Sequence, residues 1–204
     1  MATSTNQNLQ QQLFEHLMAV VRQTSEEAST TDDSPLALVT AEFFANNWAD
    51  ACDGILQKTR LLRMYPEWAA APRAFRFELD RPYKRKTGPA APVELCPGPI
   101  HGMIRYRADL FASPGLPYIA VQIDPTLSFF HPNCSRQRGS LVCLGELPES
   151  MFPYPLDLLI ETRLYPILTY QDRRPSHPFD LEAAQWFALN PEAMEGLEPV
   201  PPLY

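Results

Sequence analysis

The change of hydrophobic period near residue 73 constrains this chain more than any other feature. From Ala74 the segment AFRFELDRPY sets Phe75, Phe77 and Leu79 against Arg76, Glu78 and Asp80. That is the alternation of a strand with one buried face. Upstream, Leu36, Val39, Phe43, Trp48, Cys52, Ile55 and Leu56 recur at helical spacing, in a stretch that reads as helix to about Leu62. Downstream, VELCPGP, GMIRYRADLF and YIAVQID are separated by Pro/Gly turns and complete, with AFRFEL, a meander of about four antiparallel strands. Helical spacing returns in PLDLLIETRLYPILT, Pro155 to Thr169, with a kink expected at Pro166. It recurs in DLEAAQWFALN, with Asp180 as N-cap and a stop at Pro191. Helix, antiparallel meander, Cys-bearing segment, helices is an α+β order, and it excludes a parallel βαβ sheet.

Residues 11–27 place Leu13, Phe14, Leu17, Val20 and Val21 on one helical face, and SEEASTTDDSP follows as a linker. Ser34 is the expected N-cap of the second helix and Pro35 its first residue, with Gly54 kinking or splitting that helix. The expected division is an N-terminal helical extension, 1–56, and a second unit, 57–204, ending in the proline-rich tail EPVPPLY. The 22 prolines predict short strands joined by stiffened connections.

A net charge of −7 argues against partners gripped electrostatically, so neither nucleic acid nor an anionic membrane surface is expected. Tyr83-Lys84-Arg85-Lys86 is the one dense basic strip, read as a solvated hairpin loop or a docking patch. The opening MATSTNQNLQ lacks the basic and apolar regions of a secretory signal, and no apolar run reaches membrane-spanning length. A cytoplasmic location with reduced thiols is therefore expected for Cys52, Cys96, Cys134 and Cys143, with Cys52 and Cys96 as small core residues. No phosphate-binding glycine loop occurs, and no cofactor is implied.

The chemistry concentrates in FFHPNCSRQRGSLVCL, residues 129–144. His131, Cys134 and Cys143 are N/S donors of the kind zinc accepts, but no near His or Cys supplies a fourth ligand, so no metal is assigned. A cysteine hydrolase would need His131, His101 or His177 as the base beside its nucleophile. The third reading is a resemblance. The residues that carry it are Pro117-Tyr118 opening YIAVQID, Phe130-His131-Pro132-Asn133, Gly139-Ser140, Val142-Cys143-Leu144, and Pro175 with Pro178-Phe179-Asp180 running into Glu182-Ala183-Ala184. In this order, over about residues 57–192, they resemble the ubiquitin-conjugating enzyme family, in a divergent prokaryotic branch found in antiphage operons.

The resemblance implies a ubiquitin-conjugating-type fold, with 57–204 as the catalytic domain. It implies that Cys143 accepts a ubiquitin-like protein, or a similar protein C-terminus, from an activating enzyme as a thioester and passes it to an amine on a target. Asn133 becomes the oxyanion donor or loop organiser, with His131, Pro132 and Gly139 as structural residues. A thiolate suits such a carrier, because its thioester stays reactive toward amines. Removing one oxyanion donor typically costs about 2.7–4 kcal/mol of transition-state stabilisation. The family's acidic or polar residue facing the cysteine falls here near Ser176 and His177, which makes His177 a candidate for receiving the amine's proton. The interval from His131 to Cys143 is longer than the family pattern and contains the rival nucleophile Cys134, expected on a mobile loop where Arg136 and Arg138 could lower its pKa. An inactive binding module of the same fold, or a cysteine hydrolase, is the alternative.

Overall fold

The computed structural model describes residues 35–67, 72–107, 109–111 and 117–203. The helix expected over 11–27 and the Ser34 cap lie outside these residues. Helix α1 (Pro35–Ala51) continues into a π-helical turn, Cys52–Leu56, that contains Gly54, so the expected irregularity is a widened turn. The helical reading to Leu62 runs too far. Strand β1 (Leu62–Pro66) begins there, with Leu62 buried and Arg63 and Tyr65 exposed, an alternation too short to register beside the preceding helix.

Five more short or medium strands follow: β2 (Ala74–Leu79), β3 (Tyr83–Arg85), β4 (Glu94–Cys96), β5 (Ile100–Tyr106) and β6 (Ile119–Ile123). The two-residue strands β7 (Cys134–Ser135) and β8 (Leu141–Val142) complete the set. The main sheet has six strands in the order β1-β2-β5-β6-β8-β7, antiparallel at every pairing. A four-strand meander is thus present as β1-β2-β5-β6, but its membership differs from expectation. VELC leaves the sheet to pair with β3, because Gly98 turns the chain tightly against the Arg81 backbone at φ +101°, a conformation that favours glycine. The same hairpin corrects the reading of Tyr83–Lys86 as a solvated loop: Tyr83 and Lys84 are buried, and Lys84 Nζ donates to the Glu195 carbonyl at 2.9 Å.

Phe75, Phe77, Leu79, Ile104, Tyr106, Val121 and Ile123 form the inner face of the sheet, and α1 packs across it. Trp48 stacks on Phe75 with centroids 5.3 Å apart, and Phe44 meets Tyr106 edge-on at 5.7 Å. Asn47 Oδ1 accepts the Leu156 N–H at 2.6 Å, so α1 caps the start of helix α2 (Leu156–Leu159). The boundary expected at residue 56 therefore cuts through one shared core. A π-helical turn, Ile160–Leu164, joins α2 to α3 (Tyr165–Leu168), whose second residue, Pro166, has no N–H to return to the ladder. Helix α4 (Leu181–Leu189) starts as read from the sequence, with Asp180 Oδ1 accepting the Ala183 N–H at 2.9 Å. The proline-rich tail is tied down by Arg81, which donates to the Pro199 carbonyl at 3.0 Å, and by Tyr165, whose hydroxyl donates to the Pro201 carbonyl at 2.7 Å. No helix among the described residues is long and apolar enough to cross a membrane.

Candidate active site

The register of β7 against β8 decides which cysteine faces the core. Cys134 pairs with Val142 and Ser135 with Leu141. The next rung sets Asn133 opposite Cys143, whose N–H donates to the Asn133 carbonyl at 2.7 Å. Paired residues share a face and successive residues alternate. Cys134 therefore turns inward with Val142, while Asn133 and Cys143 share the other face. Cys134 is 0% exposed and its thiol donates to the Ser140 carbonyl at 3.6 Å. Burial pushes this thiol far above its usual range, Asp180 adds to the effect, and Arg136 only partly opposes it. The rival nucleophile expected on a mobile loop is thus a core residue.

The loop itself is ordered by its own sequence. Residues 136–138 form a single 3-10 turn that ends at Gly139 with φ +68°, and the Gly139 carbonyl accepts Gln122 Nε2 at 2.7 Å. Arg136 is not solvated. Its Nε donates to Asp180 at 2.6 Å, its NH2 group to Glu182 at 2.7 Å, and its plane lies 4.7 Å from the Phe130 ring centre. Lys86 also pairs with Glu182. The loop between His131 and Cys143 is in this way clamped to the start of α4.

His131-Pro132-Asn133 is a side-chain-closed turn. His131 Nδ1 accepts the Asn133 N–H at 3.0 Å, the Cys134 N–H returns to the His131 carbonyl at 3.0 Å, and the Pro132 carbonyl accepts the Asp180 N–H at 3.0 Å. The His131 ring is wholly buried, stacked on Phe129 at 5.8 Å and tilted against Tyr170 at 4.9 Å. Desolvation pushes its pKa down to about 3, so it is neutral with the proton on Nε2.

Cys143 is half-buried. Burial raises its pKa, the Gly145 N–H lowers it, and the Asp172 carboxylate raises it again, so the resting group at neutral pH is a thiol. Asp172 also accepts Asn133 Nδ2 at 3.2 Å. Cys143, Asn133 and Asp172 therefore form one cluster, and Asp172 is the member the sequence reading missed. It is delivered by the end of α3. Tyr170 adopts φ +61°, its N–H returns to the Ile167 carbonyl, and the Asp172 N–H returns to the Pro166 carbonyl, both at 3.0 Å. The available signal was an acidic residue just past the expected helix end at Thr169. His177 does not take that place: it is exposed, and its Nδ1 lies 3.1 Å from the hydroxyl of Ser176, not against the cysteine.

No protein-family model matches this chain, and no curated protein matches it. The chemistry of the cluster therefore rests on its own geometry. Asn133 Nδ2 carries two N–H groups, of which Asp172 takes one, and Asn133 Oδ1 is buried with no protein partner. Among the described residues no group of three or more His, Cys, Asp or Glu side chains could hold a metal ion, and His131, Cys134 and Cys143 do not converge. What remains is a thiol, a side-chain amide and a carboxylate on one edge of the sheet.

Proposed function

We propose that the chain is an acyl transferase of ubiquitin-conjugating type, carrying the C-terminus of a ubiquitin-like protein, or a similar protein C-terminus, as a thioester on Cys143. The observation that carries this reading is the rung that holds Asn133 opposite Cys143, with Asp172 bound to the Asn133 amide and acting on the same sulfur. In loading, the Cys143 sulfur attacks the carbonyl carbon held as a thioester on an ATP-dependent activating enzyme, and the Cys143 proton passes through solvent to the departing thiolate. The new C–S bond forms as the activating enzyme's thiol departs. In discharge, an amine attacks the thioester carbon, the C–N bond forms, the C–S bond breaks, and Cys143 leaves as thiolate. The second Nδ2 hydrogen of Asn133 meets the oxyanion of the tetrahedral intermediate. Asp172 receives the proton lost by the amine. The resemblance alone extends the proposal to a prokaryotic antiphage setting.

Among the described residues no histidine is engaged with Cys143, which weighs against the hydrolase alternative. His131 is sealed in the core with Nδ1 engaged, His101 Nε2 lies 3.0 Å from Asp124, and His177 hydrogen-bonds Ser176. The test is incubation with an activating enzyme, a ubiquitin-like protein and ATP, read by non-reducing gel and mass spectrometry. The expected product is a reductant-sensitive adduct on Cys143, absent in Cys143→Ala. Asn133→Ala should load normally and discharge to amines about a hundredfold more slowly. An adduct on Cys134, or none with every partner present, would overturn the assignment, and equal loss of both steps would make Asn133 purely structural.

A further inference from the structure

The outer face of the sheet, opposite the core, carries a groove of about 740 Å³ whose lining does not include Cys143, Asn133 or Asp172. Register sorts its side chains into rows. In the first, Arg63 pairs across to Glu78, Glu78 to His101, and His101 lies beside Asp124. Both carboxylates of this row already hold partners, Glu78 in an ion pair with Arg63 and Asp124 with its Oδ2 3.0 Å from His101 Nε2. The second row runs Tyr65, Arg76, Met103, Gln122, and the third sets Arg105 between Ala74 and Ala120. Both alanines are buried although they occupy outer-face positions, which places the Arg105 stem across them.

Two guanidiniums are left over in the second and third rows. Arg76 is exposed and has no acidic partner among the described residues. Arg105 is half-buried, holds only a 3.4 Å hydrogen bond to Gln122 Oε1, and feels Glu67 at a distance. Arg76 stands opposite Met103, so Arg76 and Arg105 are diagonal neighbours, roughly 7 Å apart along the backbone grid. Alternate residues of an extended peptide repeat at nearly the same spacing, roughly 6.6 Å. Arginine forks match carboxylates in bidentate geometry, and Tyr65 and Met103 flank Arg76 with apolar surface.

We propose that this groove docks an extended acidic segment of a partner protein, with carboxylates at alternate positions bound by Arg76 and Arg105 and the chain between them lying on Tyr65 and Met103. Against an overall charge of −7, this local pair of cations is selective: acidic chains are repelled elsewhere and held here. None of its lining residues belongs to the Cys143 cluster.

The test uses the full chain and a short fluorescein-labelled peptide with glutamates at alternate positions, against its glutamine counterpart, by fluorescence anisotropy at low salt. The glutamate peptide should bind at least tenfold more tightly than the glutamine one. Arg76→Glu, at an exposed position, should weaken it about tenfold, and Arg105→Lys, which keeps charge but loses the fork, should weaken it severalfold. Thioester loading on Cys143 should be unchanged in Arg76→Glu. Equal binding of the two peptides, or undiminished binding in Arg76→Glu, would overturn the proposal. So would binding that emerges only when Glu26, Glu27, Asp32 and Asp33 are replaced by amides, because the chain's own acidic segment would then be the occupant.

Discussion

Acidification should destabilise this protein through His131, by an amount that can be worked from its surroundings. The ring is 0% exposed, and its Nδ1 accepts the Asn133 N–H, which only the unprotonated nitrogen can do. Its pKa falls from the ordinary 6.5 to about 3. Between those values the unfolded chain takes up a proton that the native state refuses. The stabilisation is thus fully present above 6.5 and is lost as pH falls toward 3, at about 1.4 kcal/mol per pH unit. From neutrality to about pH 4 the loss is about 3 kcal/mol, a large part of a domain's stability. The control is His131→Asn, because an asparagine oxygen can accept the N–H two residues on without titrating. That variant forfeits the packing of the ring on Phe129 and Tyr170, so it should be less stable than wild type at pH 7 by about 1–3 kcal/mol. Urea unfolding followed by circular dichroism at a series of pH values gives both stability curves, and subtracting them removes the carboxylates common to the two proteins. The gap should shrink by about 1.4 kcal/mol per unit as pH falls below 6.5, and by about pH 4 it should have vanished or reversed. A gap that stays constant over this range would refute the argument and mean that the ring is protonated, or solvated, in the native state.

Two further outcomes probe the cluster and its support. Asp172→Asn should change two readouts in opposite directions: iodoacetamide should alkylate Cys143 faster at neutral pH, because a charge that holds the thiol up is gone, while discharge of the loaded thioester to free amine should slow by about a hundredfold. A parallel fall in both would assign Asp172 to structure alone. Asp180→Asn keeps an oxygen for the Ala183 N–H but loses the charge that pairs with Arg136, whereas Asp180→Ala loses both. Thermal or urea unfolding should rank wild type above Asn and Asn above Ala, with the cap contributing about 1 kcal/mol of the difference. Equal stability of the two variants would show that the cap contributes nothing.

Much of the architecture was legible because it is written in local periodicity. Phe75, Phe77 and Leu79 alternate in sequence and face the core in the structure, and Asp180 caps its helix as its position before LEAAQWF implied. What was misread was short or non-local. β1 is five residues long and follows a helix directly, and VELC has strand character but pairs with β3 rather than within the main sheet. His177 and Cys134 were plausible by composition and proximity in sequence, yet one lies at the surface beside Ser176 and the other is sealed in the core.

By itself the sequence determined the α+β order, the HPN turn, and the two cysteines between which a choice had to be made. Only tertiary structure made that choice. A strand's side chains alternate and paired residues share a face, so the pairing of Cys134 with Val142 puts Cys134 and Cys143 on opposite faces, and the pairing of Val142 with the core residue Val121 turns Cys134 inward. Asp172 reaches the Asn133 amide across 39 positions of chain because α3 ends in a left-handed Tyr170 whose ring is locked against His131. Neither hydrogen-bond register nor the direction in which a helix ends is visible to local periodicity, because both are decided by contacts between segments far apart in the chain.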